Sequence, residues 1–219
     1  EEGITPAEAQ DAVLRDNLHG LELDPRCTQI ATFNVALEAW KQGGFRELPA
    51  PLIACSGVPV RAARSEWEAL GGDDIEVRNA MGRLHSAFQS PDTLGSLVNP
   101  LPPAPEGGLF GRDLSIGLNW ERVSSALMAA LEREHQDTTV LGHAALDVLQ
   151  SAALLSGRYT VVVTNPPFLG LEKQSSVLES FVKANFEDAK RELALVMFLR
   201  SLQMLDENGC IAMVLPSDW

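Results

Sequence analysis

The residues whose types could do chemistry most clearly are Asn165, Pro166, Pro167 and Phe168, which follow directly on the β-branched run 160–164. Two consecutive prolines fix φ and keep the residue before them extended, so the backbone of Asn165 is held rather than left to sample turns. The Asn165 amide oxygen and the Pro166 carbonyl are two acceptors that could take both hydrogens of one NH₂ group. Phe168 offers a ring face on which a planar ring could stack.

This set of groups suits attack by an aromatic amino nitrogen. Such a nitrogen is a poor nucleophile because its lone pair is delocalised into the ring. Two acceptors would favour a pyramidal nitrogen and spread the positive charge that develops as it attacks a methyl cation equivalent, so no strong general base is required. The plainer interpretation is a strand that ends in a proline-stiffened turn with Phe168 in the core, but the preceding strand and the following aromatic residue favour the chemical one.

The charge of the chain limits what it can bind by itself. It has 17 Lys and Arg residues against 30 Asp and Glu residues, a formal net charge of −13. Proteins that wrap nucleic acid normally cluster basic residues to replace counterions along the phosphates, and no such cluster is present. Any contact with DNA is therefore expected mostly through polypeptide outside these residues.

The remaining composition predicts a cytoplasmic protein without metal. The three cysteines, Cys27, Cys55 and Cys210, are far apart and are predicted to be reduced and mostly buried. The four histidines are scattered and lack the spacing that metal binding requires. The sequence starts without a signal-like segment and has no apolar run of about 18 residues, so neither secretion nor a membrane span is predicted.

Helical and strand patterns alternate along the chain. The patterns predict strands over 19–25, 51–57, 159–163 and 210–216. They predict helices over 6–17, 28–41, 73–89, 120–134, 139–155 and 188–206. Strand 159–163 lacks alternation and is expected to be central and buried on both faces. The order predicts an α/β fold with a doubly wound, mostly parallel sheet and its functional residues at the carboxyl ends of the strands.

The chain is predicted to form one partial catalytic domain over 1–219 with a helical insertion. Residues 1–60 and 156–219 carry the strands, and 61–155 form the insertion. Within the insertion, residues 90–118 are rich in proline and glycine and are predicted to be an irregular insertion or linker.

RYTVVVTNPPFLG, residues 158–170, resembles motif IV of the S-adenosylmethionine-dependent amino-methyltransferases, in the form typical of adenine-specific DNA methyltransferases. Residues 17–37 are similar to the family's motif II region, 192–209 to motif V and 210–219 to the motif VI strand. As a set, the motif IV strand, IACSG (53–57) and residues 84–100 most resemble the large single-chain adenine methyltransferases of restriction-modification and BREX-type phage-exclusion systems.

The resemblance implies a Rossmann-like class I methyltransferase fold, S-adenosyl-L-methionine as cofactor, and methyl transfer to the exocyclic amino nitrogen of adenine in DNA. It implies that Asn165 and Pro166 act on the amino group and that Pro167 and Phe168 contact the base. It also implies cofactor-binding roles at five positions: Glu22 at the ribose hydroxyls with Asp24 as the competing candidate, Ser56 as a weak substitute for the motif III acid, and Leu193 and Phe198 as apolar cover. For Leu193 and Phe198, core packing is the alternative.

The sequence departs from the family pattern in motif I, the glycine-rich turn that holds the methionine part of the cofactor. Its strand would lie between those of motifs II and IV, and neither it nor a target-recognition domain is found within residues 1–219. The expectation is an internal fragment of a larger enzyme with two unpaired strand edges, which by itself binds cofactor weakly or not at all and could form a homodimer.

Expected partners are DNA and other subunits of a defence system. Two alternatives stay open. One is a non-catalytic, methyltransferase-like scaffold in a defence complex. The other is an enzyme that methylates RNA guanine amino groups or protein glutamine amides, because these are planar amino groups too.

Overall fold

The computed structural model describes residues 3–101, 120–131 and 138–215. The first part alternates helices and strands, as predicted: α1 Pro6–Ala12, β1 His19–Glu22, α2 Pro25–Gly43 and β2 Leu52–Cys55. Helix α2 begins three residues earlier than its apolar pattern indicated, because the Asp24 side chain accepts from the Arg26 N–H and Pro25 fits the first turn.

A block of helices follows β2. Its members are α3 Arg64–Ala69, α4 Ile75–Ala87, α5 Pro91–Leu94, α6 Trp120–Leu131 and α7 Thr138–Ser156. The helix predicted over 73–89 is confirmed as α4, and the apolar residues spaced along one of its faces, Val77, Met81, Leu84 and Phe88, are all buried. These side chains form one core with Trp67 and with the inner faces of α6 and α7. Helix α7 also packs against β1 and β2 and thereby joins this core to the strands.

The last part carries the candidate chemistry. It consists of β3 Tyr159–Thr164, α8 Ser176–Asn185, α9 Leu193–Gln203 and β4 Leu205–Met213. A second, smaller core lies between α8 and α9 and includes Leu178, Val182 and Val196. In the described part of the chain, no helix is long and apolar enough to cross a membrane.

The four described strands form two parallel pairs rather than one sheet. β1 pairs with β2, with Glu22 opposite Cys55, and β3 pairs with β4, with Thr164 opposite Met213. The facing edges of β1 and β3 do not pair with each other. Between them lies a cavity of about 410 Å³, lined by His19–Leu21 on one side and by Val161–Thr164 on the other. At one end of the cavity the rings of His19 and Tyr159 approach, with centroids 5.2 Å apart.

The prediction that β3 is buried on both faces is wrong. Val163 is 74% exposed, and Val161 is exposed on the same face, as are their partners Ala212 and Cys210 on β4. On the opposite face, Val162 and its neighbours are partly covered. No element in the described ranges lies over the Val163 face, and a strand buried on both faces needs a covering layer on each.

The apolar stripe of α2 is also more exposed than its spacing predicted. Phe33 is 59% exposed, and Ile30 is equally open, whereas Ala39 on the same helix is buried. Helical periodicity indicates which residues share a face, but burial requires a neighbouring element against that face.

Two boundaries near the carboxyl end need correction. The helix predicted over 188–206 begins only at Leu193, because the main chain of Glu192 forms an antiparallel bridge with Gly170. The last strand begins at Leu205 rather than 210. Its pairing with β3 is interrupted by a bulge, since Tyr159 lies opposite Leu205 and Val161 opposite Cys210.

The segment predicted as an irregular insertion starts as ordered core. After α5, residues Gly95–Leu97 form a 3₁₀ turn, and Leu97 and Val98 are buried. The rest of that prediction, over 102–118, lies outside the described residues, as does 132–134 of the helix predicted over 120–134.

Arg200 on α9 explains why this segment is ordered. Its side chain is 3% exposed, and its guanidinium donates to the carbonyls of Ser96 at 3.1 Å, Val98 at 3.0 Å and Leu155 at 2.7 Å. Burial, together with the charge of Arg158, lowers the pKa of Arg200 to about 10. One cation therefore ties α9 to the 95–98 segment and to the end of α7.

Replacement of Arg200 by methionine should destabilise the protein strongly. The apolar stem is kept, but three carbonyls lose their donor, and each unsatisfied buried group costs about 1–3 kcal/mol. We expect urea unfolding, followed by tryptophan fluorescence, to show a loss of at least about 3 kcal/mol. The matched variant Arg83→Met, at an exposed arginine of α4, should stay within about 0.5 kcal/mol of wild type. Equal stability of the two variants would contradict the assigned role of Arg200.

Candidate functional site

The candidate site begins where β3 stops pairing. The Val214 N–H donates to the Thr164 carbonyl at 3.3 Å, and the next residues of the loop are Asn165, Pro166 and Pro167. Because the two prolines have no N–H, they cannot continue a ladder. Pro166 is buried, whereas Asn165 and Pro167 are exposed at the carboxyl end of the strand.

Of the residues singled out from the sequence, Asn165 and Phe168 are exposed at this position and Pro166 is buried. Among hydrogen bonds between described residues, none involves the Asn165 side chain or the Pro166 carbonyl. Phe168 is 53% exposed, so its ring does not lie in the core, as the plainer interpretation of the sequence would have it. Two acceptors without a hydrogen bond to described residues and one exposed ring therefore occur within four consecutive residues.

The loop is anchored again immediately after Phe168. The Leu169 N–H donates to the Glu192 carboxylate at 2.9 Å, and the Leu169 carbonyl accepts from the Leu193 N–H at 3.1 Å. The Leu171 N–H donates to the Arg191 carbonyl at 3.0 Å. These bonds fix the segment 169–171 against the start of α9. Glu192 was not predicted as a site residue from the sequence. The one signal that could have identified it is its residue type, because Ser, Thr, Asp or Asn is preferred at a helix N-cap.

At the end of β1, the structure distinguishes between the two acids proposed for the cofactor ribose. Asp24 is committed to protein contacts, because its carboxylate accepts from the Arg26 N–H and forms an ion pair with the Arg26 guanidinium at 2.7 Å. Hydrogen bonding from the Arg26 side chain and main chain lowers the pKa of Asp24 to about 2. Glu22 uses one carboxylate oxygen to accept from the Leu23 and Asp24 N–H groups. Its second oxygen has no hydrogen bond within the described residues, so a diol could bind there.

Ser56 links the two strand ends rather than facing open space. It is buried, its N–H donates to the Glu22 carbonyl at 2.8 Å, and its hydroxyl donates to the same carbonyl at 3.3 Å. From the other side, the buried hydroxyl of Ser151 on α7 donates to the Cys55 carbonyl at 2.7 Å. The carboxyl ends of β1 and β2 are thus held together by main-chain and hydroxyl contacts.

The two apolar candidates for the cofactor occupy different environments. Leu193 is buried in the core between α8 and α9, and Phe198 is half-buried on α9. Leu193 is 7% exposed and Ser56 2%, so each side chain presents only a small surface to a ligand.

The cysteines are more exposed than predicted. Cys27 and Cys210 lie at the surface and Cys55 is partly buried; all three are free thiols. Cys27 lies on the exposed stripe of α2 and Cys210 on the exposed face of β4, where no described element covers them. Within the described ranges, no three His, Cys, Asp or Glu side chains lie close enough together to hold a metal ion.

Parallel strands joined by helices, with an amide–proline–proline–aromatic loop at the carboxyl end of a strand, are the features of a methyltransferase-type catalytic core. The chain belongs to the Eco57I restriction-modification methylase family, whose pattern matches residues 16–219. The family resemblance stated from the motifs is confirmed by this match.

Two curated relatives align over the whole chain. One is adenine-specific methyltransferase BrxX of Escherichia coli O9:H4 (strain HS), 25% identical over 244 residues. The other is adenine-specific methyltransferase PglX of Lacticaseibacillus casei (strain Zhang), 24% identical over 224 residues. The aligned regions cover 19% of BrxX and 18% of PglX, so the chain spans less than a fifth of the length of either relative.

Gly57 should be essential for the geometry at the ends of β1 and β2. A Cβ at this position would overlap the Leu23 carbonyl oxygen, a main-chain atom that cannot move without shifting Glu22. We expect Gly57→Ala to lower the free energy of unfolding by about 1–3 kcal/mol, as overpacking usually does. Gly170→Ala is the matched control, because its new Cβ would meet only the Arg191 carbonyl oxygen at 4.0 Å. Urea titration of both variants checks this, and a Gly57→Ala protein as stable as Gly170→Ala would refute it.

Proposed function

We propose that these residues are the central part of a catalytic domain that transfers a methyl group from S-adenosyl-L-methionine to the exocyclic amino nitrogen of adenine in DNA. The observation that carries the proposal is the loop at the end of β3, in which Asn165 and Phe168 are exposed and neither the Asn165 amide nor the Pro166 carbonyl forms a hydrogen bond to the described residues. A role in restriction-modification or phage defence follows from the family and from the kinds of protein that match it.

In this proposal the loop does two things to the target base. The Phe168 ring stacks on the adenine after the base has left the helix, and Pro167 contacts it from the same loop. The Asn165 amide oxygen and the Pro166 carbonyl accept the two hydrogens of the amino group. Because both acceptors carry partial negative charge, they stabilise the positive charge that the nitrogen acquires only as the new bond forms.

The residues at the end of β1 fit the cofactor's ribose. Glu22 has one carboxylate oxygen without a hydrogen bond to described residues, and a charge-assisted hydrogen bond to a diol is strong enough to orient it. When bound, the cofactor supplies an electrophilic methyl group. The task of the chain's own residues is to orient the ribose at Glu22 and the base at Phe168, so that donor and acceptor meet.

The two strand pairs fit a single doubly wound sheet that is completed by one more strand. The facing edges of β1 and β3 are unpaired and border the 410 Å³ cavity, and a parallel strand in this position would pair with both. We assign the position to the motif I strand of the same protein. The glycine-rich turn after that strand would then lie between Glu22 and Asn165, at the carboxyl ends of their strands.

The net negative charge of the chain is consistent with a catalytic domain whose DNA-binding surface lies elsewhere. With a net charge of −13, residues 1–219 supply the chemistry, while polypeptide elsewhere in the protein or another subunit of a defence system supplies the basic surface for DNA.

Asn165→Ala should remove most of the activity of the full-length protein. Loss of one acceptor for the developing charge is expected to lower kcat by about 10²- to 10³-fold. Thermal stability should not change, because the side chain is exposed and makes no hydrogen bond to described residues. The matched control is Asn34→Ala, at an exposed asparagine of α2. The measurement is incorporation of labelled methyl groups into DNA, and near-normal activity of Asn165→Ala would exclude the proposed role.

Label incorporation, combined with digestion of plasmid DNA, decides between DNA, RNA and protein as the substrate. Plasmid from cells that express the wild-type protein should carry methylated adenine, detected by methylation-sensitive digestion. If that DNA is unmodified while RNA or a glutamine-containing protein acquires the label, the proposed substrate is wrong. If no substrate acquires the label although the protein is folded, the scaffold interpretation replaces the enzymatic one.

The 219-residue chain by itself should bind S-adenosyl-L-methionine weakly or not at all, whereas the full-length protein should bind it. The physical reason is that Glu22 orients only the ribose, and the glycine-rich turn expected to hold the methionine part is not among residues 1–219. Calorimetric titration of both proteins measures the difference. Micromolar affinity of the 219-residue chain would refute this prediction and the assigned position of the missing strand.

A further inference from the structure

Glu192 occupies the N-cap of α9 but does not cap its own helix. Its φ and ψ angles are −141° and 121°, typical of an N-cap, and no side-chain capping hydrogen bond is present. Glutamate is not among the residues preferred at this position, since its longer side chain is poorly suited to reach back to the first turn. The carboxylate of Glu192 is therefore available for a contact outside its own helix.

That contact is with the loop that carries the candidate chemistry. The Leu169 N–H donates to Glu192 Oε1 at 2.9 Å in a partly buried environment. Main-chain bonds surround it, because Leu193 N–H donates to the Leu169 carbonyl at 3.1 Å and Gly170 forms an antiparallel bridge with Glu192. A hydrogen bond to an ionised acceptor is roughly twice as strong as a neutral one, and partial burial shields this one from water.

The position of this hydrogen bond along the chain allows it to affect the orientation of the loop. Upstream, the last ladder bond is from Val214 N–H to the Thr164 carbonyl. Downstream, Leu169 supplies the first main-chain donor after Phe168. Between these anchors lie four residues, of which Pro166 and Pro167 have no N–H to give. The orientation of Phe168 and Asn165 is thus set by the stiffness of the prolines and by where the two anchors hold the ends.

We propose that Glu192 is a positioning residue, whose carboxylate fixes the downstream end of the loop so that Phe168 and Asn165 meet the target base together. The inference rests on the function proposed above. Glu192 touches neither the base nor the cofactor in this proposal; it acts through the Leu169 main chain. Its importance lies in geometry, because a shift of about 1 Å in a reacting group can lower a rate by about 10²-fold.

The test compares three variants of the full-length protein. Glu192→Ala removes the acceptor and should lower kcat by about 10- to 100-fold, with the KM for S-adenosyl-L-methionine unchanged. Glu192→Gln keeps an oxygen that can accept from the Leu169 N–H and should recover most of that loss. Glu172→Ala removes an exposed acid from the 3₁₀ turn just after the loop and should behave as wild type.

Amide hydrogen exchange supplies a readout that does not depend on activity. In Glu192→Ala, the Leu169 amide should exchange at least about tenfold faster than in wild type, since the hydrogen bond that protects it loses its charged acceptor. In Glu192→Gln the exchange rate should lie between those of wild type and Glu192→Ala, because a neutral amide oxygen is the weaker acceptor, and in Glu172→Ala it should not change. Thermal unfolding should show that all three variants are fully folded at the assay temperature, which separates loss of position from loss of fold.

The outcomes distinguish this inference from the function on which it rests. If wild-type protein methylates DNA and Glu192→Ala has normal kcat, or if Glu192→Gln is as impaired as Glu192→Ala, the positioning role is overturned. If wild-type protein methylates no adenine, the proposed function fails, and exchange at Leu169 still decides whether Glu192 holds the loop. Unchanged exchange in Glu192→Ala would overturn the inference under either result.

Discussion

The candidate site depends on one constraint of the backbone: β3 must stop pairing where two residues without an N–H follow it. The ladder with β4 is kept up to the bond between Val214 and Thr164, and Pro166 and Pro167 then rule out its continuation. Groups that a longer strand would have used in the sheet are left free at its carboxyl end. An exposed amide and an unengaged carbonyl are normally unremarkable, but here they are held next to an open aromatic ring on a stiff segment. The chemistry proposed for this loop requires rigidity as much as it requires acceptors, since acceptors that reorganise during the reaction stabilise its transition state less.

The structure around this loop and its strands is organised by contacts between chain segments that are distant in sequence. Ser56 and Ser151 join the ends of β1 and β2 to α7, and Arg200 joins α9 to the 95–98 segment and to the end of α7. A buried guanidinium is costly unless its donors are satisfied, and carbonyl groups satisfy it here. The helical block between β2 and β3 is therefore bound to the strands at several points, and α7 belongs to the layer that covers β1 and β2.

The exposed apolar surfaces have a common explanation in the proposed fold. The cavity between β1 and β3 and the open face of β3 and β4 lie where a doubly wound sheet would have a further strand and a covering layer. BrxX and PglX are more than five times as long as the regions that align with this chain, so relatives of this family have ample polypeptide for such elements.

By itself, the sequence determined the local features and the family. The β-branched run into Asn165, the buried stripe of α4 and the motif resemblance are properties of short windows, where proline chemistry and helical or strand periodicity leave few alternatives. It could not determine the burial of Val163 or Phe33, because burial depends on which element lies opposite, and it placed the start of α9 too early because the bridge between Gly170 and Glu192 joins residues 22 positions apart. Only the tertiary structure separated Glu22 from Asp24 by their contacts, and only it brought Glu192 to Leu169. Such pairings follow from the path of the backbone through space, and no spacing along the chain specifies them.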